Sequence, residues 1–215
     1  KNRIDGKTLR GSLQKHLRAV HLLSAPDHQT GCVLSQTRVD SKTNESKAAF
    51  DLFKTLVLRG KVIVGDAIFC QRETCEEIVD SDGDYFFTVK ENQPSLHAEM
   101  QSYFDDAPAD EVESLPLHDK GHGRIETRRV WVTRDIDWLR QRGQWTNLRS
   151  ALCIESQREI LDPANPHLPG KISRERRYYI TSLDHRDRGR DAGYFGQLIR
   201  DHWKIENQLH WSLDV

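Results

Sequence analysis

Apolar and polar positions change rhythm several times along this chain. Runs of apolar and β-branched residues bounded by polar turns predict strands at Ala19–Ala25 (AVHLLSA), Cys32–Val39 (CVLSQTRV), Lys61–Ala67 (KVIVGDA) and Asp84–Lys90 (DYFFTVK). Between the second and third lies TNESKAAFDLFKTLVLRG, with Thr43 as a candidate N-cap and Gly60 as a candidate C-cap. Within it Ala49, Phe53, Leu56 and Val57 recur at helical spacing. CQRETCEEIVD and PSLHAEMQSYF read as two further helices. Strands first, then strands alternating with helices, predict an α/β class with helices packed on a central mixed sheet.

After Phe104 the pattern turns β-rich. GRIETRRVWVTR, RSALCIESQRE and RRYYITSL read as strands, with the Pro-rich loop DPANPHLPGK between the last two. A final helix is expected from about Asp191 to Leu213. The organisation expected is therefore a first core segment at 1–104, a β-rich insertion at 105–190 and a final core helix at 191–215. No internal repeat or low-complexity segment interrupts it.

Composition narrows the class. The 215 residues are 36% hydrophobic and 30% charged, typical of a globular domain, and no apolar run approaches membrane-spanning length. The chain opens on Lys1 and stops at SLDV directly after its last helix, so a fragment of a longer protein is expected. Nothing resembles a signal peptide. Cys32, Cys70, Cys75 and Cys153 lack a CxxC or zinc-ribbon spacing and are expected to be reduced thiols in a cytoplasm. The net charge of −1 is unevenly spread. Basic residues crowd Lys171–Arg190 and Arg124–Arg134, and acids crowd Asp105–Ser114, either as solvated faces or as a phosphate track.

Three carboxylates then stand out. Asp66 follows an apolar run and would emerge at the carboxyl end of a buried strand, the edge where sites form in open α/β sheets. Asp5, in RIDGKTLRGS, lies near the chain start beside Lys7 and Arg10. At about 100° per residue, Leu198, Ile205, Leu209 and Leu213 share one stripe of the final helix, and Glu206 sits at its edge. Taken singly, Asp5 reads as a turn residue, Asp66 as a helix N-cap and Glu206 as half of an i, i+4 pair with His202 or His210. Taken together, they would repel one another unless a cation neutralised them. Hard oxygen ligands with open positions suit Mg²⁺ or Mn²⁺, and two such ions roughly 3.5–4 Å apart can clamp a phosphodiester during in-line displacement.

The strings IDGKTLRGS, GDAIFCQRET, GDYFFTVKENQP, GHGRIETR, RYYITSL and IRDHWKIENQLHWSLDV occur in this order over nearly the whole chain. Together they resemble the insertion-sequence DDE transposases, specifically the H-repeat-associated subgroup. The resemblance implies a ribonuclease-H-like mixed sheet flanked by helices, with a β-rich insertion before the last catalytic helix. It implies cleavage of transposon-end phosphodiesters and strand transfer, with two Mg²⁺ ions for which Mn²⁺ can substitute. Its partner would be DNA, both transposon ends and target, bound by a homodimer on paired ends, in the cytoplasm of a bacterium. It also implies a helical region before Asp5 and further chain after Val215.

Carried over residue by residue, the resemblance makes Asp5, Asp66 and Glu206 the catalytic and metal-binding triad. Better-studied relatives space a tyrosine, an arginine and a lysine around the glutamate, where this chain has Ile199, His202 and Leu213. His202, Lys204, Asn207 and His210 are candidates to replace that phosphate-contacting set. Other candidate DNA contacts are Lys7 and Arg10, then Lys90, Asn92 and Gln93 on the rim with Asp66, and His122 and Arg124 in GHGRIETRR. That last motif reads equally as a hairpin turn. His202, Glu206 and His210 also suggest zinc, but four-residue steps splay over two turns and the order is not His-Glu-x-x-His. The alternative to an active enzyme is a catalytically inactive DNA-binding remnant that keeps the fold.

Overall fold

The computed structural model describes residues 2–3, 5–9, 20–26, 33–39, 53, 56–106, 113–121, 124–160, 170–187 and 189–201, with the backbone alone for 2–39, 113–121 and 124. Besides the helical Phe53 and two short 3-10 turns, ten strands and three α-helices are bounded among the described residues. In chain order they are β1 (Asn2–Arg3), β2 (Asp5–Leu9), β3 (Val20–Pro26), β4 (Val33–Val39), β5 (Val62–Gly65), α1 (Arg72–Asp80), β6 (Asp84–Val89), α2 (Pro94–Asp106), β7 (Glu113–Gly121), β8 (Arg124–Thr133), β9 (Ser150–Ile160), β10 (Lys171–Thr181) and α3 (192–201).

Seven strands form one mixed sheet in the order β1-β5-β6-β10-β9-β8-β7, and β2, β3 and β4 form an antiparallel sheet. β1 and β2 are one residue apart in the chain, and β1 also lies against β3, so the small sheet continues the large one. β5 pairs in parallel with both β1 and β6, which its connection through α1 allows. From β6 outwards every pairing is antiparallel, through β10, β9 and β8 to β7. This is the ribonuclease-H-like α/β arrangement expected, and its insertion extends the core sheet sideways.

The sheet buries both faces. Ile63, Tyr85, Phe87, Cys153, Tyr178 and Ile180 point to one side, where Cys75 and Ile78 of α1 and Leu96, Met100 and Phe104 of α2 pack on them. Alternation sends Val62, Val64, Phe86, Leu152, Ile154 and Tyr179 to the other side, under Phe195, Leu198 and Ile199 of α3. β5 is apolar throughout, and β6 carries Tyr85, Phe86 and Phe87 in succession, because both their faces are covered.

The third predicted strand ends two residues early, at Gly65, and the fourth one residue early, at Val89, while RRYYIT proves to be the inner part of a strand that begins at Lys171. β1, β2 and β7 fall outside the apolar runs read as strands from the sequence. β7 contains Pro116 and several charged residues, and it is stable as a strand because it lies at the sheet edge, where a missing N–H leaves no partner unsatisfied. Gly121 and Arg124 pair at the end of β7 and β8, so the hairpin reading of GHGRIETRR holds for the flanking strands, while His122 and Gly123 lie outside the described residues.

The helix predicted between Thr43 and Gly60 lies mostly outside the described residues, although Phe53 is helical and buried. Val57 is 79% exposed, so the apolar stripe does not reach it. Gly60 has φ +67, which a glycine adopts without a Cβ penalty, but Leu56–Arg59 are not helical, so it serves the turn closed by Lys61 N–H on the Leu58 carbonyl and is not the C-cap expected. Among the described residues no helix is long and apolar enough to cross a membrane.

Candidate active site

The carboxyl end of β5 is built to present a side chain. Four buried residues, Val62–Gly65, run through the middle of the sheet, and the backbone stays extended at Asp66 before a 3-10 turn at Ala67–Phe69. Asp66 opens that turn without accepting a capping hydrogen bond, so the N-cap reading of its carboxylate does not apply. Phe69 and Cys70 plug the chain back into the core immediately afterwards. The carboxylate itself is 60% exposed.

Lys90 leaves the parallel neighbour β6 at the same edge. Its Nζ lies 3.1 Å from Oδ1 and 3.3 Å from Oδ2 of Asp66. Two further residues of this loop grip the strand-to-helix connection: Asn92 Nδ2 donates to the Ala67 carbonyl at 2.6 Å, and Gln93 Nε2 donates to the Cys70 carbonyl at 2.9 Å. Gln93 Nε2 also lies 3.2 Å from Gln71 Oε1. The Ala67 carbonyl thereby accepts a second bond beside that from the Cys70 N–H at 3.0 Å, and Gln93 gives the Cys70 carbonyl a donor.

The position of Asp5 follows from register. β1 and β5 are parallel, with Asn2 opposite Ile63 and Arg3 opposite Val64. Two residues further along each chain come Asp5, the first residue of β2, and Asp66. On its other side Asp5 pairs with Ser24 of β3. Lys7 lies within β2, opposite Leu22, and Arg124 opens β8, opposite Gly121 and Ile160. Arg10, His122, His202, Lys204, Glu206, Asn207 and His210 lie outside the described residues.

A cleft of about 230 Å³ opens beside Asp66, between the Lys90 loop and the outer part of β10. Glu175, Arg176, Arg177 and Tyr179 line it from β10, and His97 lines it from α2. Burial pushes the Tyr179 phenol up to about 12 against the pull of the Arg177 guanidinium, and the charge of Asp66 adds to the rise. Arg177 also pairs with Glu175 at 2.8 Å. Arg176 bridges Glu155 of β9 and Asp105 of α2 and lies over the Trp131 ring. The sequence reading placed these arginines in a basic stretch without giving them a site. Their signal was local: RRYY sets cations directly before two aromatic residues that alternate between the two cores.

Hard, exposed carboxylate oxygen at the end of a central strand fits a divalent cation. Among the described residues no group of three or more His, Cys, Asp or Glu side chains is placed to hold a metal ion. Asp66 contributes the one carboxylate of the predicted triad whose side chain is described.

Comparison with known proteins agrees with this arrangement. Residues 4–215 match the family model described as Transposase DDE domain. The chain is 41% identical over 184 residues, 83% of its length, to the "Uncharacterized protein in dhlA 3'region" of Xanthobacter autotrophicus, covering 59% of that protein. It is 34% identical over 218 residues, 99% of its length, to the "H repeat-associated putative transposase YhhI" of Escherichia coli K12, covering 55% of that protein. The chain thus spans little more than half the length of these curated relatives. With the fold and the match over almost its whole length in agreement, this chain belongs to the DDE transposase domain family, alongside its H-repeat-associated members.

Proposed function

We propose that this chain is the catalytic domain of a DNA transposase, cleaving phosphodiesters at transposon ends and transferring the strands to target DNA, with Asp5, Asp66 and Glu206 as its three carboxylates. The observation that supports this reading is the parallel pairing of β1 with β5, after which Asp5 and Asp66 each follow two residues along, in a chain matched to the DDE family from residue 4 onward. α3 supports the third member. It covers the face on which Val62 and Val64 lie, and Glu206 follows it closely in the chain.

Mg²⁺ or Mn²⁺, held by the three carboxylates, would supply charge neutralisation at the phosphodiester and lower the pKa of an attacking water or 3′-hydroxyl. The chain's own residues do the rest. Asn92 and Gln93 position Asp66 by holding the backbone that follows it, so the carboxylate meets its ligand with little reorganisation. Lys90, Arg176 and Arg177 bring positive charge to one cleft beside it, where an anionic strand would lie. Lys7, Arg10, His122, Arg124, His202, Lys204, Asn207 and His210 are proposed as further DNA contacts. The insertion at 105–190 would widen the bound surface, and a homodimer would hold two ends together on DNA in the bacterial cytoplasm.

The test is Mn²⁺ titration of this chain and of Asp66→Asn, followed by nicking assays on transposon-end duplexes. Wild-type binding and metal-dependent nicking, both lost in Asp66→Asn, are expected. Salt-sensitive DNA binding without metal binding or nicking would instead identify an inactive DNA-binding remnant.

A further inference from the structure

We infer that Lys90 is a built-in counterion of Asp66, holding the carboxylate until a divalent cation takes it over and then turning its ammonium to a DNA phosphate. This rests on the metal-binding reading of Asp66 and adds to it an exchange between two occupants of one carboxylate.

The geometry points this way for three reasons. First, Lys90 Nζ spans both oxygens of Asp66, at 3.1 and 3.3 Å, so it covers the edge that a cation would use. Second, the two backbones are fixed to each other. Val89, directly before Lys90, is buried and paired with Tyr178, while Asn92 and Gln93, two and three residues after it, are bonded to the carbonyls of Ala67 and Cys70 beyond Asp66. An ordinary surface pair has to order both side chains on mobile backbone, and this one does not. Third, the ammonium is free to leave. The Lys90 side chain is 49% exposed, and it lines the same cleft as Arg176 and Arg177, so one swing of a four-carbon stem groups three cations around a space suited to a phosphate.

An exposed ammonium–carboxylate contact is weak enough to be displaced by a dication, yet strong enough to keep a rim of aspartates from repelling one another beforehand. Release of Lys90 would then link metal entry to DNA affinity, because the same charge cannot serve both partners at once.

The experiment is Mn²⁺ binding by electron paramagnetic resonance at low ionic strength, on wild type, Lys90→Gln, Lys90→Arg and Asp66→Asn. Lys90→Gln is expected to tighten Mn²⁺ by about two- to fivefold, the range an exposed ion pair spans, and Lys90→Arg, which grips a carboxylate with two donors, to weaken it. Asp66→Asn is expected to lose the site. The same proteins are then titrated with a short DNA duplex across a salt series, with Mn²⁺ and with chelator. In Mn²⁺, Lys90→Gln should show a salt slope smaller than wild type by about one charge, and with chelator the two should coincide. Loss of Mn²⁺ in Asp66→Asn without tightening in Lys90→Gln overturns the counterion role and leaves the metal site standing. A salt slope reduced equally with and without metal makes Lys90 a plain phosphate contact and also overturns the exchange. Wild-type Mn²⁺ affinity in Asp66→Asn removes the metal-site reading and this inference with it.

Discussion

Gly65 stands directly before Asp66, and a Cβ there would meet Phe87 Cε1 at 3.0 Å and Phe69 Cδ2 at 3.1 Å. Neither ring has room to retreat, since both residues are buried to within 1% of full coverage. Gly65→Ala is therefore expected to cost about 1–3 kcal/mol by overpacking, read as a shift in urea midpoint. Because the strain falls one residue from the carboxylate, Mn²⁺ affinity should drop in the same variant. Asp66→Asn should behave oppositely: its side chain is 60% exposed, so stability should stay within about 1 kcal/mol of wild type while metal binding is lost. A variant set that separates stability from metal binding in this way distinguishes damage to the strand from damage to the site.

At the scale of elements, α3 shows how a helix is set on the sheet. Asp191 Oδ1 accepts from the Tyr194 N–H at 2.8 Å, an N-terminal cap that satisfies one of the helix's unpaired donors. Phe195, fully buried, stacks on Phe86 of β6 with ring centroids 5.9 Å apart, and Leu198 and Ile199 continue the same face. Phe195→Ala should cost about 3–5 kcal/mol, measured by chemical denaturation. On the functional reading it should also weaken Mn²⁺ binding, since the segment that carries Glu206 follows this helix. The Lys90–Gln93 loop is the corresponding device for Asp66. Asn92→Ala removes the 2.6 Å bond to the Ala67 carbonyl, which keeps its bond from the Cys70 N–H, and is expected to cost about 0.5–1.5 kcal/mol.

For the whole molecule, one sheet with a core on each face places titratable groups deep in both. Burial pushes the Cys153 thiol from 9.0 up to about 12 on the α1–α2 side and the Tyr179 phenol from 10.0 up to about 12 on the α3 side. Cys70 and Cys75 are raised by burial as well. In each case the folded state holds a proton that the unfolded chain releases at lower pH. The stabilisation is complete below the unfolded value and is lost as pH rises toward the folded one. Stability should therefore fall progressively from about pH 9 to about pH 12, read as urea midpoints across that range, and Cys153→Ala should flatten part of the decline.

Much of this architecture could be read from local pattern. The α/β class, β5 and β6 as buried strands, α1 and α2, and three of the four insertion strands follow from apolar periodicity, because each of these elements buries a face whose spacing its own residues display. Asp66 was legible as a strand-end residue for the same reason. β7 was not: an edge strand is stabilised by the neighbour it pairs with, so its own residues, Pro116 among them, carry little β signal. Nor does the linear sequence contain the parallel register of β1 on β5, the reach of Lys90 onto the Asp66 carboxylate, or the entry of Arg176 and Arg177 into the same cleft. These depend on pairings between segments far apart in the chain, which hydrogen-bond alignment across the sheet decides and no local periodicity encodes. The sequence by itself determined the element types and the residues capable of the chemistry. The tertiary structure alone decided which of them meet.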